Sequence, residues 1–101
     1  LSEHKGEKIE DEALLKQGGL LEEAGDYQGA LLSYRKIIEF YGNGILADDA
    51  YFATAELYRN RLGEPEKAME HYQQIIFRYP DSYFFPQARR QFRLLRGDKL
   101  E

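Results

Sequence analysis

The chain has 101 residues, a net charge of −4, 43% hydrophobic and 32% charged residues, and no cysteine. That length makes one small domain, or a piece of one, with a thin core. The missing cysteines exclude disulfides and thiolate metal sites, the acidic balance argues against nonspecific nucleic-acid binding, and no apolar run approaches the roughly 20 residues of a membrane span.

Leu1 is not a Met, so the chain is expected to be a fragment of a larger protein, and Leu100-Glu101 has the look of a cloning scar. Residues 1–8, LSEHKGEK, are polar and read as a flexible N-terminal segment. From Ile9 a helical pattern begins, with Ile9, Ala13, Leu14, Gln17, Leu20, Leu21 and Ala24 mostly three and four apart. Gly18-Gly19 lie inside it, each costing about 1 kcal/mol relative to Ala, which calls for close approach by a neighbouring helix. Gly25 stops this helix and Asp26 caps the next.

A second helix is predicted from Tyr27 to Tyr41, with Ala30, Leu31, Tyr34, Ile37, Ile38 and Tyr41 as its apolar stripe, broken by Gly42-Asn43-Gly44. A third follows from Leu46 to Arg61, turning Ala50, Ala53, Thr54, Leu57 and Tyr58 inward, with Asp48-Asp49 favouring its N-terminal dipole. Gly63-Glu64-Pro65 opens a fourth, Pro65 to Tyr79, carrying Ala68, Met69, Tyr72, Ile75 and Ile76. A fifth spans Phe84 to Arg96. The chain contains no Val and no alternating β pattern.

Two stretches, GALLSYRKIIEFYG and KAMEHYQQIIFRYP, repeat with a period of 38 residues, Ala30 matching Ala68, Tyr34 Tyr72 and Ile37 Ile75. The fifth helix begins a third copy, Ala88 matching Ala50 and Leu95 Leu57, and then the copy stops. A period of this size marks stacked helical units. Charge is polarised: residues 1–23 hold seven acids and three Lys, whereas residues 78–101 hold five Arg and one Lys against three acids.

The units resemble tetratricopeptide repeats. Small residues Gly18 and Ala55, large Leu21 and Tyr58, small Ala30 and Ala68, aromatic Tyr34 and Tyr72, and Pro80 stand where that family places them. Leu14 replaces the usual aromatic, Gly42 the first closing proline, and extra turn and loop residues lengthen the period. The resemblance implies an all-α fold, two helix–turn–helix units (9–44 and 45–82) plus a capping helix (83–97), stacked as a right-handed α-solenoid, with 98–101 as a tail. The longer period and IIFRYPDSYFFPQA are similar to a subgroup of bacterial cell-envelope proteins, such as the Tol–Pal coordinator and the barrel-assembly lipoprotein. That likeness favours periplasm or envelope over cytoplasm.

In the family the first helices line a concave binding face. Carried over, that face holds Glu12, Leu15, Gly19, Glu22 and Glu23, then Asp49, Phe52, Glu56, Arg59 and Asn60, then Gln87, Arg90 and Leu94. The resemblance implies non-catalytic binding of a protein or peptide there; the dominant acids point to a partner of basic character, and the residues themselves point to no cofactor, metal, nucleic acid or membrane insertion. A solvated polar face is the competing reading of the same residues. The family's carboxylate clamp needs Asn and Lys where this chain has Leu15, Gly19, Phe52 and Glu56, and acids repel a carboxylate.

His4 and His71 are the only imidazoles. Lys67, one turn before His71, is no ligand, so metal binding has no converging set and His71 reads as a surface residue. Arg96-Gly97-Asp98 reads as a chance tripeptide. The alternative function is homo-oligomeric: acidic first and basic last helices of neighbouring chains stacking head to tail.

Overall fold

A computed structural model describes residues 8–42 and 44–97. These form five helices: α1 (Lys8–Glu23), α2 (Tyr27–Phe40), α3 (Ala47–Asn60), α4 (Pro65–Arg78) and α5 (Phe85–Arg96). No strand occurs among the described residues, so the fold is all-α. The expected flexible segment, apart from Lys8, and the 98–101 tail lie outside them. The chain divides into two compact units, Leu1–Ala50 and Tyr51–Glu101.

In the first unit, α1 and α2 pack as an antiparallel pair joined by a tight turn. The amide of Gly25 donates to the Glu22 carbonyl and that of Asp26 to the Leu21 carbonyl, the paired bonds of a Schellman stop. Gly25 carries φ +84°, a conformation that an L side chain resists. The Asp26 carboxylate then accepts from the Gly29 amide at 3.0 Å, capping α2. Ala30, Leu31, Tyr34, Ile37 and Tyr41 of the predicted stripe are buried.

The face that α1 buries overlaps the expected one only in part. Leu20 is 55% exposed, and Ala13, Gln17 and Ala24 are exposed too. Leu14 and Leu21 of the expected stripe are half-buried, and they pack in a row with Asp11 and Gly18, which are buried. The Tyr34 ring lies where a Gly18 Cβ would stand, 2.3 Å from such an atom, so the helices close over the glycine. The expected close approach therefore accounts for Gly18 and not for Gly19, where nothing lies within 4 Å of a Cβ.

In the second unit, the α3 residues from Tyr51 onward pack on α4, where Tyr51 and Tyr58 meet His71 and Phe52 meets Tyr72; Tyr51, Ala55, Leu57, Ala68, Tyr72 and Ile75 are all buried. Tyr51 stands 5.9 Å from Tyr79, ring to ring, and its hydroxyl accepts from Arg78 Nη1 at 3.1 Å. α4 starts at Pro65, whose missing amide would have had no helical partner. α5 buries Ala88 against its surroundings and ends at Gly97 in the left-handed region, its amide donating to the Arg93 and Leu94 carbonyls.

Candidate functional site

Glu56, Arg59 and Asn60 are three and four residues apart on α3 and share one edge of the helix. Tyr72 arrives from α4 beneath them. Its ring is fully buried, yet its hydroxyl reaches the charged edge. The hydroxyl donates to Glu56 Oε2 at 2.5 Å and accepts from Arg59 Nε at 3.0 Å. Arg59 Nη2 donates to Glu56 Oε1 at 3.2 Å, and Asn60 Nδ2 to the same oxygen at 3.1 Å. Three of the expected binding residues are therefore tied into one network anchored on a core tyrosine.

The electrostatics follow from this geometry. Burial, and then the Glu56 carboxylate, push the Tyr72 phenol well above its usual range, with Arg59 opposing. Burial acts to lower the Arg59 guanidinium, but Tyr72 and Glu56 outweigh it and hold it above its ordinary value.

Phe52 lies one turn before Glu56 on the same edge. Its half-buried ring stacks on Phe84 at 4.5 Å and meets Tyr72 edge-on at 5.9 Å. Phe84 is set by Ser82, whose hydroxyl accepts the Phe84 amide at 2.9 Å. Tyr83, the neighbour of Phe84, is 80% exposed. Arg90 is exposed on α5.

In the first unit the Tyr34 hydroxyl donates to Glu22 Oε2 at 2.5 Å. Burial, followed by Glu22, holds this phenol far above its ordinary value as well. Glu12 and Glu23 are exposed, and Leu15 is half-buried. Asp49 is half-buried in the first turn of α3. Its carboxyl is pushed upward by burial and then by Asp48.

The two tyrosine hydroxyls were not foreseen as part of this surface. The available signal was the choice of Tyr over Phe at matching repeat positions, where burial alone does not require an oxygen. His71 also corrects the reading of a surface imidazole. It is half-buried, its ring 5.5 Å from Tyr58 and 6.1 Å from Tyr51. Its Nδ1 lies 2.8 Å from the Lys67 carbonyl, which can only accept, so Nδ1 carries the proton. Among the described residues no group of three or more His, Asp or Glu is placed to hold a metal ion, and no helix is long and apolar enough to cross a membrane.

No curated protein and no solved structure matches the chain. A family model described as tetratricopeptide repeat matches it twice, at residues 12–44 and 49–82. Each match takes in one helix pair, α1 with α2 and α3 with α4, and together they cover about two thirds of the sequence. The chain belongs to the tetratricopeptide repeat family.

Proposed function

We propose that this chain is a non-catalytic binding module whose first-helix surfaces receive an extended or helical segment of a partner protein. Tetratricopeptide repeats generally mediate protein–protein interaction, and helical repeats present extended surfaces for that purpose. The observation that carries the reading in this chain is Phe52. It is an aromatic ring held in place by Phe84 and Tyr72, only half-buried, and flanked by the Glu56–Arg59–Asn60 network. A rigid aromatic anchor beside oriented polar groups is what a binding hot spot requires. Glu12, Glu22 and Glu23 of α1 favour a partner with basic side chains, and Leu15, Asp49 and Arg90 are the remaining contacts we assign. The likeness of the sequence to envelope-type repeats favours a bacterial periplasmic or envelope setting.

An affinity pull-down with the chain and with Phe52→Ala and Glu23→Lys variants tests the reading. Glu23 is exposed, so its reversal reports charge without touching the core. Both variants should lose partners that the parent chain captures. Retention of every partner by both, with helicity unchanged, sinks it.

A second reading rests on charge. The first turns of α1 carry Glu10 and Glu12 outside the buried Asp11, whereas α5 carries Arg89, Arg90, Arg93 and Arg96. Opposite charges of this kind support head-to-tail association of copies. Sedimentation at low and high salt separates the two: a monomer at every salt concentration removes self-association.

A further inference from the structure

The polar edge of α3 beside Phe52 contains an acid whose capacity to accept hydrogen bonds is already filled. A carboxylate offers about four acceptor sites on its two oxygens. Glu56 Oε1 accepts from Arg59 Nη2 at 3.2 Å and from Asn60 Nδ2 at 3.1 Å. Oε2 accepts from the Tyr72 hydroxyl at 2.5 Å and, less closely, from Arg59 Nη2 at 3.4 Å. All four donations come from the second unit itself, and the Glu56 charge is matched by Arg59 three residues on.

The donors of this network keep capacity that the acid has lost. A guanidinium carries five N–H groups. The network engages Arg59 through Nε and Nη2, and the Nη1 pair takes no part in it. Asn60 is exposed; it spends one Nδ2 proton on Glu56 and retains the second, with Oδ1 as an acceptor. Glu56 and Arg59 cancel in charge, so the edge offers neutral hydrogen bonding, mostly as donor. An incoming lysine meets a guanidinium and a carboxylate with its lone pairs taken. An incoming carboxylate meets donors with the Glu56 charge 3.2 Å behind them. A primary carboxamide suits both partners: its oxygen accepts from Arg59 or Asn60, and its NH₂ donates to Asn60 Oδ1.

We propose that the Phe52 edge of α3 selects an extended partner segment carrying an apolar side chain and, two residues later, a glutamine. The inference rests on the reading of this face as a binding surface and names what the second unit recognises there. The spacing follows from the helix. Phe52 and Glu56 are four residues apart, about 6 Å along α3. In an extended segment alternate side chains share a face about 7 Å apart. The apolar side chain lies on the half-buried Phe52 ring, which Phe84 and Tyr72 hold in place. The carboxamide then reaches Arg59 and Asn60. Basic side chains are drawn to the acids of α1, whereas this edge excludes them, because Glu56 is occupied by its own neighbours.

The test uses the full chain and fluorescein-labelled 12-residue peptides of Ser, Thr and Gly around a central Leu-Thr-X, with Gln, Glu or Lys as X. Binding is read by fluorescence anisotropy. The Gln peptide should bind at least fivefold more tightly than the Glu or Lys peptide. Raising salt from 50 to 500 mM should change its affinity less than twofold, because no net charge is matched. Asn60→Ala should bring the Gln peptide down to the level of the Glu peptide. Arg59→Gln removes the cation and two donations to Glu56, so the Lys peptide should then bind more tightly than the Gln peptide. Each variant is compared at equal helicity by circular dichroism. The proposal is overturned if the parent chain binds the Lys or Glu peptide as tightly as the Gln peptide, or if Asn60→Ala and Arg59→Gln both keep the parent's order of affinities. Phe52→Ala should weaken all three peptides alike. If the peptides bind through Phe52 without preferring Gln, the glutamine selection fails and the binding face stands. If none of them binds, both fail.

Discussion

Gly18 lies directly against the ring of Tyr34, so closely that a Cβ on the glycine would stand 2.3 Å from Cε1 and 2.7 Å from Cζ. An aromatic ring fixed in the core cannot yield by that much. Gly18→Ala should therefore overpack the α1–α2 contact at a cost of about 1–3 kcal/mol, only partly offset by about 1 kcal/mol of helix propensity. Gly19→Ala meets no atom within 4 Å and should stabilise by about 0.5–1 kcal/mol. Urea denaturation of the two variants checks both signs. Adjacent glycines moving the midpoint in opposite directions is the expected outcome, and equal shifts would contradict the packing described.

The tyrosine network predicts alkaline sensitivity. Tyr34 and Tyr72 stay protonated in the fold well above their ordinary value of 10.0 because burial and a neighbouring carboxylate disfavour the phenolate. Below pH 10 both states of the chain are protonated and the shift has no effect. Above it the unfolded chain releases these protons first, so stability falls as pH rises. Denaturation midpoints between pH 9 and 11.5 should decline, and the slope should be shallower in Tyr34→Phe and Tyr72→Phe. At pH 7, Tyr72→Phe should cost about 1 kcal/mol for the lost bond to Glu56, a modest figure because Arg59 and Asn60 remain its partners.

Helix caps give a second pair of opposite effects. Asp26 caps α2 through the Gly29 amide, and Asp26→Ala should cost about 1 kcal/mol. Glu64 occupies the same place before α4 and makes no capping hydrogen bond. Its ion pair with Lys67 is 3.9 Å long and exposed, which contributes little. Glu64→Ser should raise stability by about 0.5–1 kcal/mol, read as an upward shift of the thermal midpoint.

Under the proposed function, Phe52 connects stability with binding. Truncation to Ala removes its stacking on Phe84 and its contact with Tyr72, and should cost about 1–2 kcal/mol, less than a fully buried ring because half of it faces water. Phe52→Leu should restore most of that stability and not the partner affinity, if the flat ring is the recognition element. Thermal melts alongside binding curves for both variants check this separation.

The helices and their ends were legible because they depend on local chemistry: Gly25, Asp26, Pro65 and the three-and-four spacing of α2 and α4 act within a few residues. The buried face of α1 was legible in part. The expected stripe included Leu14 and Leu21, which pack, but also Ala13, Gln17, Leu20 and Ala24, which face water. Close approach to the glycine pair was expected, but that Tyr34, 16 positions on, supplies it at Gly18 and not at Gly19 leaves no periodic trace. The same holds for the charged edge of α3. Glu56, Arg59 and Asn60 were picked out as ligand contacts, and the structure joins them to Tyr72, 16 residues on from Glu56. His71 shows the converse: a polar residue that the sequence places at the surface is drawn between two tyrosines and satisfied by its own helix at Lys67.

The tyrosine hydroxyls give the two repeats unequal wiring. Tyr34 holds an acid at residue 22, whose counterpart one repeat later is Arg59, whereas Tyr72 holds Glu56, whose counterpart is Gly19. A substitution deep in either helix pair is thereby transmitted to the ionic pattern outside. Losing the oxygen of Tyr34 releases Glu22 to sweep a wider arc, and losing that of Tyr72 leaves Arg59 and Glu56 to find new rotamers. The charge pattern around both tyrosines can thus drift through mutations in the core, and the halves of this chain cannot be exchanged or duplicated without redrawing their surface charge.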